Sequence, residues 1–276
     1  MGPDCIGEVV IVVGDRLRHT RAALVLILGV FLAGPTWAQQ ASTGAEPKDT
    51  SGTNPAVLTR SFSISNEYRF LPDDQYFDLL DFRYTEPFLD GRAAVRLTIP
   101  FSATDILGGS ESGIGDISAK LSWVPYMSRQ QAFILSTEVY APTATEDALG
   151  SGKWVIAPGI TWAYFASREI IIAPAYIHSF SFAGDASRPD VNRGDFDFYL
   201  VYKPHGKRWW ITSDFTASHD FAADKNPVSW EVSFGTNLAK LESGAAINGY
   251  IRPGIGIGHD RPYDFNIEVG ISIVNF

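Results

Sequence analysis

The residues with chemical capacity in this chain are mostly charged side chains set at every second position of otherwise apolar stretches. In RAAVRLTIPF (92–101), Ala93, Val95, Leu97, Ile99 and Phe101 alternate with Arg92, Arg96 and Thr98. GDISAKLSWV (115–124) sets Ile117, Ala119, Leu121 and Trp123 against Asp116, Ser118, Lys120 and Ser122, and VSWEVSFGTNL (228–238) sets Trp230, Val232 and Phe234 against Ser229, Glu231 and Ser233. GDFDFYLVYK (194–203) and DFNIEVGISI (264–273) repeat the pattern. Successive residues of a strand point to opposite faces, so each segment has one apolar and one ionic side. With the ionic side enclosed, the first four strands contribute Arg69, Arg83, Arg96 and Lys120, offset by Glu67, Asp81 and Asp116. The later strands contribute Glu138, Asp195, Asp197, Asp214, Glu231 and Glu268, opposed by Arg252. Opposed basic and acidic walls create a transverse field that orients dipolar solutes and rejects purely apolar ones. The same charges paired into ladders would instead plug a narrow interior.

Catalytic sets are weaker. Tyr176, His178 and Ser179 with Ser181, and Ser218 with His219 and Asp220, are the candidate groupings for lipid hydrolysis. Adjacent Ser and His on one strand face opposite ways, so rim or lipid-facing histidines are the simpler reading and an enzyme is not expected. GSGK (150–153) would need a following helix to cradle phosphate, but KWVIAPG reads as strand. His205 and His259 fall on opposite rims, and carboxylates do not recur at calcium-loop spacing, so no metal or cofactor is expected.

The alternating segments predict about twelve strands: 58–70, 75–86, 92–101, 115–124, 131–141, 153–164, 170–182, 194–203, 208–219, 228–238, 245–256 and 264–276. Strands near ten residues long with dyad alternation, even in number, describe an all-β antiparallel transmembrane barrel. Tight connections (EPFLDG, PYMSRQ, FASRE, KPHGKR, AKLESG) alternate with longer ones (SATDILGGSESGI, APTATEDALGSG, FAGDASRPDVNR, DFAADKNP, GIGHDRP), as periplasmic turns and external loops do. Basic residues such as Arg129, Arg168 and Lys207 gather on the tight side, and Asp105, Glu146, Asp185 and Asp224 on the long side. Such an acidic outer rim is suited to cations bridging lipopolysaccharide, or is simply solvated. Aromatic residues near strand ends, including Tyr68, Phe70, Trp123, Trp154, Trp162, Trp209, Trp210 and Phe276, suit interfacial girdles. Phe276 is out of phase with the apolar face at 265–273, which a bulge near Val274 would reconcile. A soluble β-sandwich would have to bury all of these wide aromatic faces.

Ahead of this region, RLRHTR (16–21) precedes an apolar run of 13 residues, AALVLILGVFLAG, and PTWA ends in Ala38. That run is too short to span a bilayer and reads as a Sec signal peptide over 1–38. Residues 39–56 read as a disordered periplasmic lead and 57–276 as the barrel. The single cysteine, Cys5, lies in the expected signal, so the mature chain has no thiol or disulfide. Removing 1–38 takes away three basic and three acidic residues, leaving the net charge of −9, which argues against nucleic acid as a partner. The expected partners are outer-membrane lipids and lipopolysaccharide, the barrel assembly machinery that reads a terminal aromatic, and small organic solutes.

GIGDISAKLSWVP (113–125) and APTATEDALGSGKWVIAPG (141–159) resemble the repeated signatures of the outer-membrane family named for the MetA pathway of phenol degradation, a set of transporter-like barrels. The resemblance covers most of residues 55–276. It implies an outer-membrane channel for small organic molecules, aromatic or hydrophobic ones among them, and transfers no substrate-binding residue.

Overall fold

Alternation every second residue has built strands throughout residues 49–276, the part of the chain that the computed structural model describes. They are β1 (Ser61–Phe70), β2 (Tyr76–Phe88), β3 (Ala93–Thr104), β4 (Glu111–Ile114), β5 (Ser118–Met127), β6 (Gln131–Tyr140), β7 (Lys153–Phe165), β8 (Ile170–Gly184), β9 (Asn192–Tyr202), β10 (Trp209–Asp220), β11 (Val228–Lys240), β12 (Ala246–Ile257) and β13 (Phe265–Val274). All pairings are antiparallel, and β1 pairs with both β2 and β13, which closes the sheet on itself. Short β4 pairs with β3 at Phe101–Thr104 while β5 pairs with it at Ala93–Thr98, so β4 and β5 are two halves of one stave. The barrel therefore has twelve staves, the expected number. Closure leaves no free sheet edge, the condition for strands to sit in hydrocarbon with their backbone groups satisfied.

The apolar faces point outward. Leu97, Leu121, Ile160, Trp230, Phe234, Val269 and Ile271 are exposed, whereas Ser65, Glu67, Asp81, Asn248, Asn266 and Glu268 are buried. Glu268, at 1 % relative exposure, is among the most enclosed large side chains of the described residues. This inversion of the soluble arrangement also fixes the pairing, because a slip of one residue would turn every carboxylate toward lipid.

Aromatic side chains on the outer face form two bands. Near the rim carrying both ends of the described chain lie Tyr126 with Phe133, Trp162 with Tyr164, and Tyr202 with Trp209, their ring centroids 5.9–6.1 Å apart. Near the opposite, loop-bearing rim, Tyr68 stacks on Tyr76 at 5.6 Å, Phe70 meets Phe265 at 5.9 Å, and Trp154 meets Phe182 at 6.4 Å. Rings of this kind suit the water–lipid boundary, where an apolar body and a polar tip are both accommodated.

Three expectations change. Trp210 is not part of a girdle: it shares the inner face with Thr212, Asp214 and Ser218 and is buried against its register partner Gly235. A β-carbon at Gly235 would collide with the Trp210 indole, so glycine makes the room for it. At the C-terminus no bulge occurs: β13 stays in register with both neighbours through Val274. Asn275 then adopts φ 61°, a left-handed turn that asparagine tolerates, and Phe276 emerges exposed beyond it. Finally, residues 49–56, expected within a disordered lead, pack against the inner wall at the terminal rim, Ala56 being 2 % exposed. The expected signal and residues 39–48 lie outside the described residues.

Candidate functional site in the barrel lumen

The eleven charged residues singled out from the pattern all lie on the inner face, and the structure sorts them into two sets. The first is a continuous ion-pair ladder on β1, β2, β11, β12 and β13. Arg69 grips Glu67 with two bonds of 2.8 Å, and Asn266 Nδ2 donates to Glu67 Oε1 (2.7 Å) and Glu231 Oε1 (2.9 Å). Arg252 Nε lies 3.0 Å from Glu231 Oε2, and its guanidinium also pairs with Glu268. Tyr250 donates to Glu268 Oε1 at 2.5 Å, Arg83 Nη1 approaches the same oxygen at 4.0 Å, and Arg83 pairs with Asp81. Each carboxylate here thus has a cation or several donors, which is what enclosed charges require.

The second set is sparse. On β3, Arg96 forms no hydrogen bond or ion pair among the described residues, and it stands in register with Lys120 on β5. Lys120 Nζ is 3.8 Å from Glu138 Oε2, and the other oxygen of Glu138 accepts from Ser118 Oγ at 2.6 Å. Glu138 also acts on Arg96 electrostatically without touching it, so two cations share one carboxylate. Across the barrel, Asp197 on β9 accepts from the hydroxyl of Thr216 and feels Lys120 and Arg193 electrostatically without an ion pair, and Asp214 on β10 has a buried Oδ1 with no hydrogen-bond partner among the described residues. Asp195 belongs with the satisfied groups, accepting from Arg193 Nε and Ser218 Oγ at 2.6 Å each. Strands β3 and β5 stand four to six staves from β9 and β10 around the twelve-stave ring, so these weakly satisfied cations and carboxylates lie on facing walls.

Both mouths are narrowed by chain segments. At the terminal rim, residues 49–58 turn into the lumen. Ala56 and Leu58 pack against Val124, Ala132, Ile134, Ala163 and Ala173. Lys203 Nζ donates to Asp49 Oδ1 (2.8 Å) and Ser51 Oγ (3.0 Å), Asn248 Nδ2 to the Thr50 carbonyl (2.8 Å), and Asn275 Nδ2 to the Asp49 carbonyl (3.0 Å). Burial opposes ionisation of Asp49, but the Lys203 ammonium and the Ser51 donors outweigh it and hold the carboxyl below its usual range.

At the other rim, Asp116 occupies the break between β4 and β5 and gathers the loop after β6. It accepts from the amides of Thr143 and Ala144 (3.2 Å each), the Ser151 amide (2.7 Å) and Ser151 Oγ (2.9 Å). Gly150 lies where a β-carbon would run into Asp116 and Ala144. Arg188, from the loop after β8, donates to the Asp147 carbonyl at 2.7 Å and binds the Asp147 carboxylate at 3.2 Å. The two stretches on which the family resemblance rests are therefore joined in space, with Asp116 as their hub. Sequence reasoning placed Asp116 among the offsetting wall charges and did not see this bond set, because its partners lie 27–35 residues away.

The hydrolase groupings do not assemble. Tyr176 and His178 meet on the outer face, with Tyr176 Oη 3.1 Å from His178 Nδ1, while Ser179 points inward. Ser218 faces the lumen beside Asp195, whereas His219 contacts Asn226 Oδ1 at 3.0 Å. His205 lies in the β9–β10 turn and His259 in the β12–β13 loop, on opposite rims as expected.

No family model matches the chain, and no curated protein matches it. Among solved structures it is similar to the COG4313 outer membrane channel from Pseudomonas putida F1, with 10 % identity and a TM-score of 0.63, over 84 % of this chain and 100 % of that one. The NanC porin is also similar, with 11 % identity and a TM-score of 0.53, over 78 % of this chain and 99 % of that one. At such identities the likeness is one of fold: this chain is a barrel of the outer-membrane type.

Proposed function

We propose that this protein is a bacterial outer-membrane channel for small organic solutes. The observation that carries the reading is the split of the luminal charges: the carboxylates of one arc are held in ion pairs with arginine, while Arg96 forms no ion pair, Lys120 has a single loose one, and Asp197 and Asp214 on the facing wall have none. A purely structural core has no use for such groups, because unpartnered enclosed charge costs stability, whereas a passage uses them to select and orient what crosses. The outward belt supports a lipid setting, in which Sec export and the barrel assembly machinery would deliver the chain and lipopolysaccharide would surround its loop rim. The likeness to an outer membrane channel and to a porin is consistent with passage. Aromatic or hydrophobic solutes remain the expectation from the resemblance to the phenol-degradation family. The unpaired charges favour solutes with a polar end.

In this channel the segment 49–58 is a stopper at the periplasmic mouth, held by Lys203. Planar-bilayer recording tests the reading: wild type should give small, intermittent currents, and Asp49→Ala should raise the open fraction. The narrowed terminal rim and the ion ladder favour a second reading, a non-conducting structural barrel. Absence of current from both proteins, each folded as judged by heat-modifiable migration, would leave that one standing.

A further inference from the structure

We infer that Arg96, Lys120, Asp197 and Asp214 form a binding site for amphoteric organic acids, molecules with a carboxylate at one end and a protonated amine at the other. The inference rests on the channel reading and narrows its solute class. Four observations carry it. Arg96 presents a guanidinium to the lumen with no hydrogen bond or ion pair among the described residues, and a guanidinium fork matches a carboxylate bidentately. Lys120, its register partner, shares a single carboxylate, Glu138, at the loose distance of 3.8 Å. This wall therefore carries one positive charge in excess. Opposite, Asp197 and Asp214 carry two negative charges with no ion pair, and Asp214 Oδ1 is buried without a donor. A buried acceptor without a partner is uncommon enough in folded proteins to call for one, and an ammonium supplies both the charge and the hydrogen bonds.

The contrast with the rest of the lumen gives the site its specificity. Glu67, Asp81, Glu231 and Glu268 are each taken up by arginine, so a diffusing cation finds them occupied, and Arg69, Arg83 and Arg252 are equally closed to a diffusing anion. An amphoteric solute spanning the lumen would satisfy both open walls at once. A neutral molecule of the same size satisfies neither, and a simple carboxylate satisfies one.

Interruption of single-channel current by added solute reads the site directly. The probes are 6-aminohexanoate, hexanoate and the neutral 1,6-hexanediol, applied to wild type and to Asp49→Ala. 6-Aminohexanoate should block at concentrations about tenfold below those needed for 1,6-hexanediol. Arg96→Gln should remove that advantage and Arg96→Lys should keep part of it. Asp214→Asn should weaken block by 6-aminohexanoate while leaving hexanoate unchanged. Equal block by all three probes, or block unaltered by Arg96→Gln, overturns the inference while the channel survives. If neither protein carries current, the channel reading fails separately, and equilibrium binding of radiolabelled 6-aminohexanoate to the detergent-solubilised barrel decides the site. Saturable binding lost in Arg96→Gln upholds it, and no saturable binding ends it.

Discussion

Two arcs of the same inner wall have been furnished in opposite ways. On β1, β2 and β11–β13 each acid is matched by a base or by several donors, so that Glu268 reaches Arg252, Tyr250 and the edge of Arg83. On β3, β5, β9 and β10 only Asp195 is closely paired, with Arg193; Arg96, Asp197 and Asp214 have no ion pair and Lys120 a loose one. Composition does not distinguish the arcs, since both alternate ionic with apolar residues. The difference lies in cross-strand and diagonal neighbours: Glu67 and Arg69 are two apart on one strand, Asp81 and Arg83 likewise, whereas Arg96 has Lys120 beside it and no acid two residues away. Pairing holds a barrel together, and its omission leaves charge available to solutes.

The largest expected effect comes from breaking the paired arc. Glu268→Leu strands Arg252 in an enclosed site and should cost about 3–5 kcal/mol in detergent-based unfolding. Equal stability in that variant would mean the ladder is not structural. The terminal stopper comes next. Asp49 has a depressed folded-state pKa, so its contribution to holding residues 49–58 is complete above the ordinary carboxylate range and is lost as pH falls through the depressed value. Open fraction should therefore stay flat from neutral pH to about 4 and rise below it. Lys203→Met should raise it at neutral pH by roughly tenfold, a change of about 1.4 kcal/mol. An open fraction that rises between pH 7 and 5 would point to a different latch.

The open arc should respond in the opposite sense to the paired one, with function changing and stability barely moving. Replacing Arg96 and Lys120 together by glutamine should shift reversal potentials toward cation selectivity by several-fold while altering unfolding by less than about 1 kcal/mol. Unchanged selectivity would show that current does not pass these side chains. The smallest effect is expected at Asp214, where asparagine removes an unsatisfied charge and should stabilise the barrel by up to about 1 kcal/mol, with a slight turn toward anions.

Much of this was legible in the chain. The period of two gave every stave except the split one, and parity alone put all eleven charged candidates on the inner face. Glu231 between Trp230 and Val232 has no other place to go once the aromatic face meets lipid. What parity cannot report is who holds whom. Arg252 and Glu268 are register partners only because β12 and β13 pair at one offset, and the sequence does not print offsets. Asp116 was invisible as a hub for the same reason, its donors arriving from a distant loop. Trp210 was misassigned because two adjacent tryptophans at a strand end look alike until Gly235 is seen to clear a space for one of them. The lead was misjudged at residues 49–56 because polar, serine-rich composition looks the same whether water or a polar lumen is the solvent.

The stopper is not a loop between two strands: residues 49–58, the first of the described residues, lead into β1. A loop between two strands is held by both of them, whereas residues 49–58 join the sheet through β1. Anything attached ahead of Asp49, whether an affinity tag, a fused domain or a tethered bead, would pull on the contacts with Lys203 and Asn248 that hold the segment at the mouth. For this molecule the placement of a purification handle is thus an experimental variable in its own right, and a pull on that handle is a way to uncork the barrel.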